Sequence, residues 1–306
     1  MQRLLIIGCG DVVRRALPAL VRHWRVYALV RAREADLARL GVTQIVGDLD
    51  RPATLRRLAG LAHAVLHSAP PPAQGRGDRR TRHLLARLCG RHDAAGVPRW
   101  RLSLPRRFVY ISTSGVYGDC HGDWVAETRP PRPLSARGQR RVDAERQLRA
   151  FGRRSHCAVS ILRAPGIYAA DRLPLARLHQ GLPVLRGEED VFTNHIHADD
   201  LARACLAALR FGRPNRCYNV SDDSALRMGE WFDRLADAFG LPAPPRLARA
   251  EAERVLPAMQ LSFMRESRRL VNRRLKRELA LQLRYPTVED GLRAALSAQG
   301  NLSCSG

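Results

Sequence analysis

Two glycines near the amino terminus could contact a phosphate through the main chain. Gly8 and Gly10 stand in LLIIGCGDVV, directly after an apolar run typical of a strand and directly before a helical pattern. Glycines at such a turn let the backbone approach a pyrophosphate, whose charge meets the helix amino terminus. We therefore predict a bound dinucleotide here, and expect Asp11 and Val12 to contact it as well. A plain strand–turn–helix, with glycines selected for positive φ, is the alternative.

The residues that end the second strand bear on which dinucleotide is bound. An acid about twenty residues after Gly10 would bind an adenosine ribose hydroxyl, but the sequence there is Val-Arg-Ala-Arg. A guanidinium can fork onto a 2′-phosphate, so Arg31 and Arg33 favour NADP over NAD. Because arginine is so common in this chain, chance placement is the alternative.

Two further segments are expected to border the dinucleotide. In VGDLD, Asp48 is placed to hydrogen-bond the adenine amino group and Leu49 lies beside it; Asp48 could instead cap the helix that follows. In HSAPPP, Ser68 and Ala69 are expected to touch the ribose. Prolines stiffen the chain directly after them.

The composition limits which classes of protein the sequence can encode. The chain has 306 residues, of which 45% are hydrophobic and 26% charged, enough for a real core and against disorder. No apolar run approaches the roughly 20 residues of a membrane span, and the opening segment does not resemble a signal peptide. The 7 cysteines lack CxxC spacing, so we expect a reduced, cytoplasmic protein that binds no metal.

The net charge of +23 comes almost wholly from arginine, because Lys276 is the only lysine. We interpret this as the coding bias of a GC-rich genome. A basic surface attracts polyanions non-specifically, but the arginines are spread along the chain without interleaved aromatic residues. No specific nucleic-acid partner is therefore expected.

The elements that position these residues alternate between short apolar runs and helical patterns. Strands are predicted at 4–7, 26–30, 44–46, 64–67, 108–112, 158–162 and 217–220, with a long helix at 137–151 and an irregular stretch at 91–106. The alternation predicts an α/β fold, a Rossmann-like doubly wound parallel sheet with a smaller, mainly helical C-terminal substrate lobe. We assign 1–168, rejoined by about 191–221, to the Rossmann domain, 169–190 and 222–292 to the lobe, and 293–306 to a frayed tail.

Several motifs in order resemble one family. They are IIGCG, GDLD, YISTSGVYGD, LRAPGIY, NHIHADDLARA and YNVSDD, and they extend over almost the entire chain. Together they are similar to the extended and atypical short-chain dehydrogenase/reductases, the NAD(P)-dependent epimerase/dehydratase family. The resemblance implies NADP, or else NAD, as cofactor and a small-molecule substrate. It also leaves a homodimer open.

The resemblance places the reaction chemistry on two segments. Thr113 occupies the position of the catalytic Ser/Thr, Tyr117 follows four residues later, and Pro165 and Ile167 are implied contacts near the nicotinamide amide. The family's Tyr-x-x-x-Lys pair is absent, because its two positions hold arginine.

Those two arginines change what chemistry can be expected. Guanidinium keeps its proton in proteins, so Arg137 cannot replace the tyrosine as a base. Arg141 could hold the nicotinamide ribose or a substrate phosphate. Tyr117, Tyr168, His121 and Cys120 are candidates for the missing proton transfer, each with a structural role as the alternative.

Other polar residues are expected to be structural. His195 and His197 share one strand face, where hydrogen-bonded histidines are favoured over a metal pair. Asp200 is predicted to cap a helix beginning at Leu201. The arginine-rich segment 265–284 is predicted to be the solvated face of a packed helix, or else a rim that attracts an anionic substrate.

The sequence thus favours an NAD(P)-dependent oxidoreductase or epimerase/dehydratase-like protein with altered proton-transfer residues, acting on an unidentified small molecule that could be anionic. A non-catalytic NAD(P)-sensing regulatory protein is the first alternative. A nucleic-acid-binding protein on the same scaffold is the second.

Overall fold

The computed structural model describes residues 1–89 and 104–303. Among them, no helix has both the length and the apolar character to span a membrane. The strands of the described residues are β1 (Gln2–Ile7), β2 (Trp24–Val30), β3 (Thr43–Val46), β4 (Ala64–His67), β5 (Arg107–Thr113), β6 (Trp124–Val125), β7 (Ala158–Ala164), β8 (Gly166–Tyr168), β9 (Val184–Leu185), β10 (Phe192–Thr193), β11 (His195–His197), β12 (Arg216–Asn219), β13 (Leu226–Arg227), β14 (Arg246–Leu247) and β15 (Arg269–Leu270).

The helices flank these strands, and short 3₁₀ turns at Pro52–Leu58, Ser114–Tyr117 and Ala170–Arg172 connect some of them. The α-helices of the described residues are α1 (Asp11–His23), α2 (Ala35–Arg39), α3 (Arg79–Leu88), α4 (Ala136–Ser155), α5 (Leu175–His179), α6 (Ala198–Phe211), α7 (Met228–Phe239), α8 (Arg249–Val255), α9 (Ala258–Phe263), α10 (Arg273–Glu278) and α11 (Val288–Ser303).

Seven strands form one parallel sheet in the order β12-β7-β5-β4-β1-β2-β3. The strand order reverses between β1 and β4, and Ile7 at the end of β1 pairs with His67 of β4 on one side and Leu29 of β2 on the other. In open α/β sheets, ligands bind in the crevice at such a switch point. The predicted Rossmann-like fold is confirmed.

Both faces of the sheet are buried, as an all-parallel sheet requires. Leu4 and Ile6 of β1 face a core formed with α1 and α6, while Leu5 and Ile7 face a core formed with α3 and α4. The unbroken apolar run of β1 is explained by this double burial.

The carboxyl-terminal part of the chain departs from the predicted division in two places. Leu275 and Leu279 belong to the same core as α1 and α6, so the segment around α10 packs on the Rossmann sheet rather than within the lobe. Residues 293–303 of the tail predicted to fray instead continue α11, whose Val288 and Leu292 pack against Trp231 of α7, and residues 304–306 lie outside the described residues. The irregular stretch predicted at 91–106 lies mostly outside the described residues.

Candidate functional site

The turn after β1 is built around Gly8. Its φ is +87°, and a Cβ there would lie 2.5 Å from the backbone nitrogen of Ala69 and 2.7 Å from its Cα. Only glycine fits this approach. The Ser68 hydroxyl donates to the Gly8 carbonyl, and the amides of Ser68 and Ala69 donate to the Ile7 carbonyl at 2.8 and 3.0 Å. The turn is therefore held against the exit of β4.

Gly10 provides the open part of this turn. With φ at −82° it needs no unusual backbone, and a Cβ built on it would meet no atom within 4 Å. It precedes α1, whose amino terminus has no side-chain cap. Uncapped first-turn amides and the helix dipole favour an anion. The open space over Gly10 and the free amides fit a pyrophosphate.

Asp11 and Val12 belong to this turn through their main chain. The Asp11 carboxylate accepts hydrogen bonds from Arg15 and Arg172, each at 2.9 Å. Val12 is buried in the core beneath α1. Their side chains therefore do not face a ligand, and any contact would come from their amides.

A cleft of about 320 Å³ opens from this turn along the ends of β1, β2 and β4. Six of the thirteen residues predicted to bind the cofactor line it, whereas Asp11, Val12, Arg33, Ser68, Arg141, Pro165 and Ile167 do not. The full lining is Ile7, Gly8, Cys9, Gly10, Leu29, Val30, Arg31, Glu34, Gly47, Asp48, Leu49, Ala69, Pro70 and Arg80.

The sequence analysis missed Glu34 as a cleft residue. Its carboxylate pairs with Arg14, and its backbone is fixed by Gln44, which accepts from the Glu34 amide at 2.7 Å and donates to its carbonyl at 2.8 Å. No acid stands at the end of β2 itself, as the sequence indicated, but an acid does reach the cleft from the residues that follow. Glu34 lies four residues beyond the strand, and the turn into α2 brings it back to the cleft; nothing in the spacing indicated this turn.

Two more lining residues were not predicted. Burial raises the pKa of the Cys9 thiol to about 11, so the thiol is neutral and unreactive at neutral pH. Arg80 is bound by the Asp50 carboxylate at 2.6 Å, and its charge is therefore compensated. Arg31, by contrast, is exposed and forms no ion pair with the described residues.

Asp48 does not cap the following 3₁₀ turn, because the cap position is Arg51 and no side chain bonds there. Its carboxylate instead accepts from the Asp50 amide at 2.9 Å, and its own amide donates to Thr54 at 2.9 Å. The Asp48 side chain is partly exposed and lines the cleft. The adenine contact stays a prediction.

Thr113 ends β5 and opens the next turn. Its hydroxyl accepts from the Gly115 amide at 3.2 Å. A Cβ built on Gly115 would lie 3.6 Å from this hydroxyl oxygen and 3.9 Å from Oε2 of Glu266, so both side chains border the same space. Glu266, a second residue that the sequence analysis missed, pairs with Arg268 at 2.8 Å.

Tyr117 is not placed for proton transfer, which corrects the expectation of a catalytic role. Its side chain is 1% exposed and its hydroxyl donates to Asn219 at 2.7 Å. Burial raises the pKa of Tyr117 to about 12, with Arg163 above its ring opposing this shift. A phenol in this environment keeps its proton at neutral pH, and Tyr117 therefore packs in the core and does not transfer protons.

The first turn of α4 lies against the turn that Thr113 opens. Ser135 caps the helix through the Gly138 amide at 3.1 Å, and a Cβ on Gly138 would lie 3.0 Å from the Gly115 carbonyl oxygen. Arg141 is buried and donates to the Tyr110 hydroxyl at 2.8 Å and to the Ile111 carbonyl at 2.9 Å. Its predicted ribose contact has no support in this arrangement, since the bonded nitrogen faces β5.

Behind this turn lies a buried ion pair. The Glu145 carboxylate accepts from Arg163 at 2.7 and 3.1 Å and from the Ser112 hydroxyl at 2.7 Å. Both ionic side chains are 3% exposed. The pair joins α4 to β5 and β7 and fixes the segment that carries position 137.

Tyr168 and the two strand histidines are core residues. Tyr168 is 3% exposed and donates to the Thr287 carbonyl at 3.3 Å, and Trp231 lies 4.5 Å from the ring of His195. Burial lowers the pKa of His195 to about 3. His197 accepts from the Asp199 amide at 3.2 Å and caps α6.

Asp200 is therefore not the cap that was predicted. It lies inside α6, fully buried, and accepts from the amides of Arg284 and Tyr285 at 2.8 Å each. The predicted start at Leu201 was three residues late, because the histidine side chain took the capping role. Asp200 ties the carboxyl-terminal segment to the sheet.

Several known proteins resemble this chain in sequence. Residues 10–221 match the NAD dependent epimerase/dehydratase family, and the chain belongs to that family. A 3-diazoavenalumate denitrifying reductase from a Streptomyces species is 28% identical over 319 aligned positions, covering 95% of this chain and 99% of that protein. A trifunctional UDP-glucose 4,6-dehydratase, epimerase and reductase of Arabidopsis thaliana is 25% identical, but the match covers only 44% of this chain and 22% of the plant protein.

Solved structures share the whole architecture. A conserved protein of unknown function from Silicibacter pomeroyi is 29% identical, with a TM-score of 0.78 over 97% of this chain and 99% of that one. A UDP-glucose 4-epimerase of Thermotoga maritima, 18% identical, has a TM-score of 0.75 over 98% and 99%. The latter likeness shows the fold alone.

Proposed function

We propose that this protein binds NADP(H), or else NAD(H), in the cleft at the ends of β1, β2 and β4 and catalyses reductive hydride transfer to a small molecule. The observation that carries the proposal is the turn after β1. Gly8 is held where only glycine fits, Gly10 is open to a ligand, and the amides that follow lack a side-chain cap. Family membership supports a nicotinamide dinucleotide as the ligand.

Different residues of the cleft would contact different parts of the dinucleotide. The amides after Gly10 would hold the pyrophosphate, Asp48 and Leu49 would border the adenine, and Ala69 would lie under the ribose. When bound in its reduced form, the cofactor supplies a hydride. Thr113, at the end of β5, would donate a hydrogen bond to the substrate oxygen, next to the carbon that receives the hydride.

The choice between NADP and NAD depends on two opposed side chains. Arg31 is a cation at the cleft that has no acidic partner in the part of the chain that the structure describes, and it would attract a 2′-phosphate. Glu34 also lines the cleft and would accept a ribose hydroxyl, but Arg14 neutralises it. The pairing leaves the Arg31 charge uncompensated, and we propose NADP as the preferred cofactor.

A reductive reaction is favoured by the reductase from Streptomyces, since the alignment covers nearly all of both chains. Position 137 sharpens this proposal. An arginine cannot cycle a proton near neutral pH, so a substrate that needs a proton would take it from another donor, such as water relayed through the Thr113 hydroxyl.

The same arginine favours one second candidate, a non-catalytic NADP(H)-sensing protein. The two functions differ in turnover. An enzyme oxidises reduced cofactor when a panel of carbonyl and other electrophilic acceptors is added, which is measured as loss of the reduced nicotinamide absorbance. Gly10→Val should abolish this turnover while Gly187→Val, at another glycine with no atom within 4 Å of a built Cβ, should retain it. Tight binding without turnover across the panel would favour the sensor.

A further inference from the structure

Three arginines on the first turns of α4 lack acidic partners. Arg137, Arg140 and Arg141, here called the α4 arginine cluster, form no ion pair with the described residues, and the side chain of Arg137 forms no hydrogen bond with them either. The acids of the same helix are engaged elsewhere. Asp143 accepts from the Asp78 amide at 2.7 Å, and Glu145 is bound by Arg163.

Several basic residues of the carboxyl-terminal segment 265–284 behave differently. Arg268 pairs with Glu266, Arg274 lies 3.8 Å from Glu278, and Lys276 pairs with Asp223 at 2.5 Å. The charges of these three residues are compensated. Only Arg273–Glu278 of this segment is an α-helix, so the single packed helix predicted over it is wrong, and the rim that attracts an anionic substrate stays a prediction.

Two members of the α4 arginine cluster are buried with unsatisfied donors. Arg140 is 9% and Arg141 is 7% exposed, and the Nε of each is buried without a hydrogen-bond partner among the described residues. A buried donor without an acceptor costs about 1–3 kcal/mol. Partial desolvation lowers the pKa of Arg137, and the positive charges of Arg141 and Arg140 lower it further. Arg140 and Arg141 each use one nitrogen, toward the Gly75 carbonyl and toward Tyr110 and Ile111, but the cluster has no counter-charge among the described residues and keeps two unsatisfied Nε donors.

The cluster stands beside the predicted reaction position. Gly138, next to Arg137, packs against the Gly115 carbonyl, and Arg141 bonds to Ile111, two residues before Thr113. A guanidinium presents two parallel N–H donors that match a carboxylate or a phosphate. An anionic group next to this helix would meet donors and charge together.

We propose that the α4 arginine cluster binds the anionic group of the substrate, a carboxylate or a phosphate monoester, with Arg137 supplying the exposed donor fork. The inference rests on the proposed function only in treating the bound anion as part of the substrate. It makes α4 a substrate-recognition element where the family resemblance implied a proton-transfer element.

The test is isothermal titration calorimetry with inorganic phosphate and, in a separate arm, with benzoate, at physiological ionic strength. We compare the wild-type protein, Arg137→Gln and Arg146→Gln. Arg146 is exposed on the same helix and its replacement removes the same charge. One saturable site is expected for at least one anion, weakened about tenfold or more in Arg137→Gln and changed less than about twofold in Arg146→Gln.

Each outcome of the titrations supports or overturns the proposed anion site. Binding of phosphate alone assigns a phosphorylated substrate, and binding of benzoate alone assigns a carboxylate. Equal weakening in both variants would reduce the effect to net charge and overturn the proposal, as would the lack of any saturable binding. Titration of the same wild-type sample with NADPH separates this inference from the proposed function, because an anion site without NADPH binding removes only the latter.

Discussion

The cleft proposed to bind the dinucleotide depends on the main chain, whereas the reaction region beside it, formed by Thr113, Glu266 and the first turn of α4, depends on side chains. In the cleft, main-chain geometry sets the chemistry: Gly8 allows a close approach to Ala69, and Gly10 leaves open space before uncapped amides. In the reaction region, side chains set it, and position 137 carries a guanidinium where the family resemblance implies a phenol. A backbone site tolerates much sequence change around its glycines, whereas a side-chain site changes its chemistry with one substitution. We propose on this basis that the chain keeps the backbone half of its site and replaces the side-chain half.

The largest effect is expected where the reaction region depends on buried charge. Glu145→Ala leaves Arg163 buried without its partner, and we expect a loss of about 3–5 kcal/mol in the free energy of unfolding. Urea denaturation measures it. Glu188→Ala, which removes an exposed carboxylate, is the control and should change stability by less than about 0.5 kcal/mol. A small loss for Glu145→Ala would mean that the ion pair does not hold this region together.

The matching experiment in the cleft separates backbone strain from steric conflict. Both Gly8 and Gly75 have positive φ, of +87° and +92°, but only Gly8 faces a neighbouring atom at 2.5 Å. Gly75→Ala should cost about 1 kcal/mol from strain alone. Gly8→Ala should cost about 2 kcal/mol more, because the Ala69 backbone must move. Equal losses in thermal or urea unfolding would contradict the close approach.

Cofactor preference tests the side chains that the cleft does use. Arg31→Ala should weaken NADPH binding about tenfold and NADH binding little, since it removes a charge-assisted contact to the 2′-phosphate. Arg33→Ala, an exposed arginine outside the cleft lining, should leave both unchanged. Glu34→Gln should strengthen NADPH binding a few-fold by removing a like charge. Equal weakening of both cofactors by Arg31→Ala would remove the 2′-phosphate role.

The last effect concerns acid sensitivity in the core next to the sheet. Burial holds the pKa of His195 at about 3, below the ordinary value of about 6.5. Its contribution is fully present above about pH 6.5 and falls by about 1.4 kcal/mol per pH unit as the pH drops toward 3. His195→Leu should therefore flatten the loss of stability between pH 6.5 and 4. Parallel unfolding curves for both proteins across this range would contradict a neutral, buried imidazole.

Sequence reasoning predicted the parts that repeat local rules. The strands of the central sheet could be predicted from apolar runs bounded by turns. The turn after β1 could be predicted from Gly8 and Gly10, because glycine spacing constrains the backbone directly. Glu34 and Glu266 were missed, since each reaches its place through a turn or a long-range contact that leaves no periodic signal. Tyr117 was misjudged because nearness to Thr113 in sequence does not say which way a side chain faces, and here it faces Asn219.

The central claim is that the turn after β1 binds a nicotinamide dinucleotide through its backbone amides. Isothermal titration calorimetry of the wild-type protein and of Gly10→Val, with NADPH and NADH in turn, tests it most directly. One equivalent of cofactor should bind the wild type, and Gly10→Val should lose about 100-fold or more in affinity without loss of thermal stability, because its side chain enters open space. Heat of binding that is absent for both cofactors, or unchanged in Gly10→Val, would contradict the account.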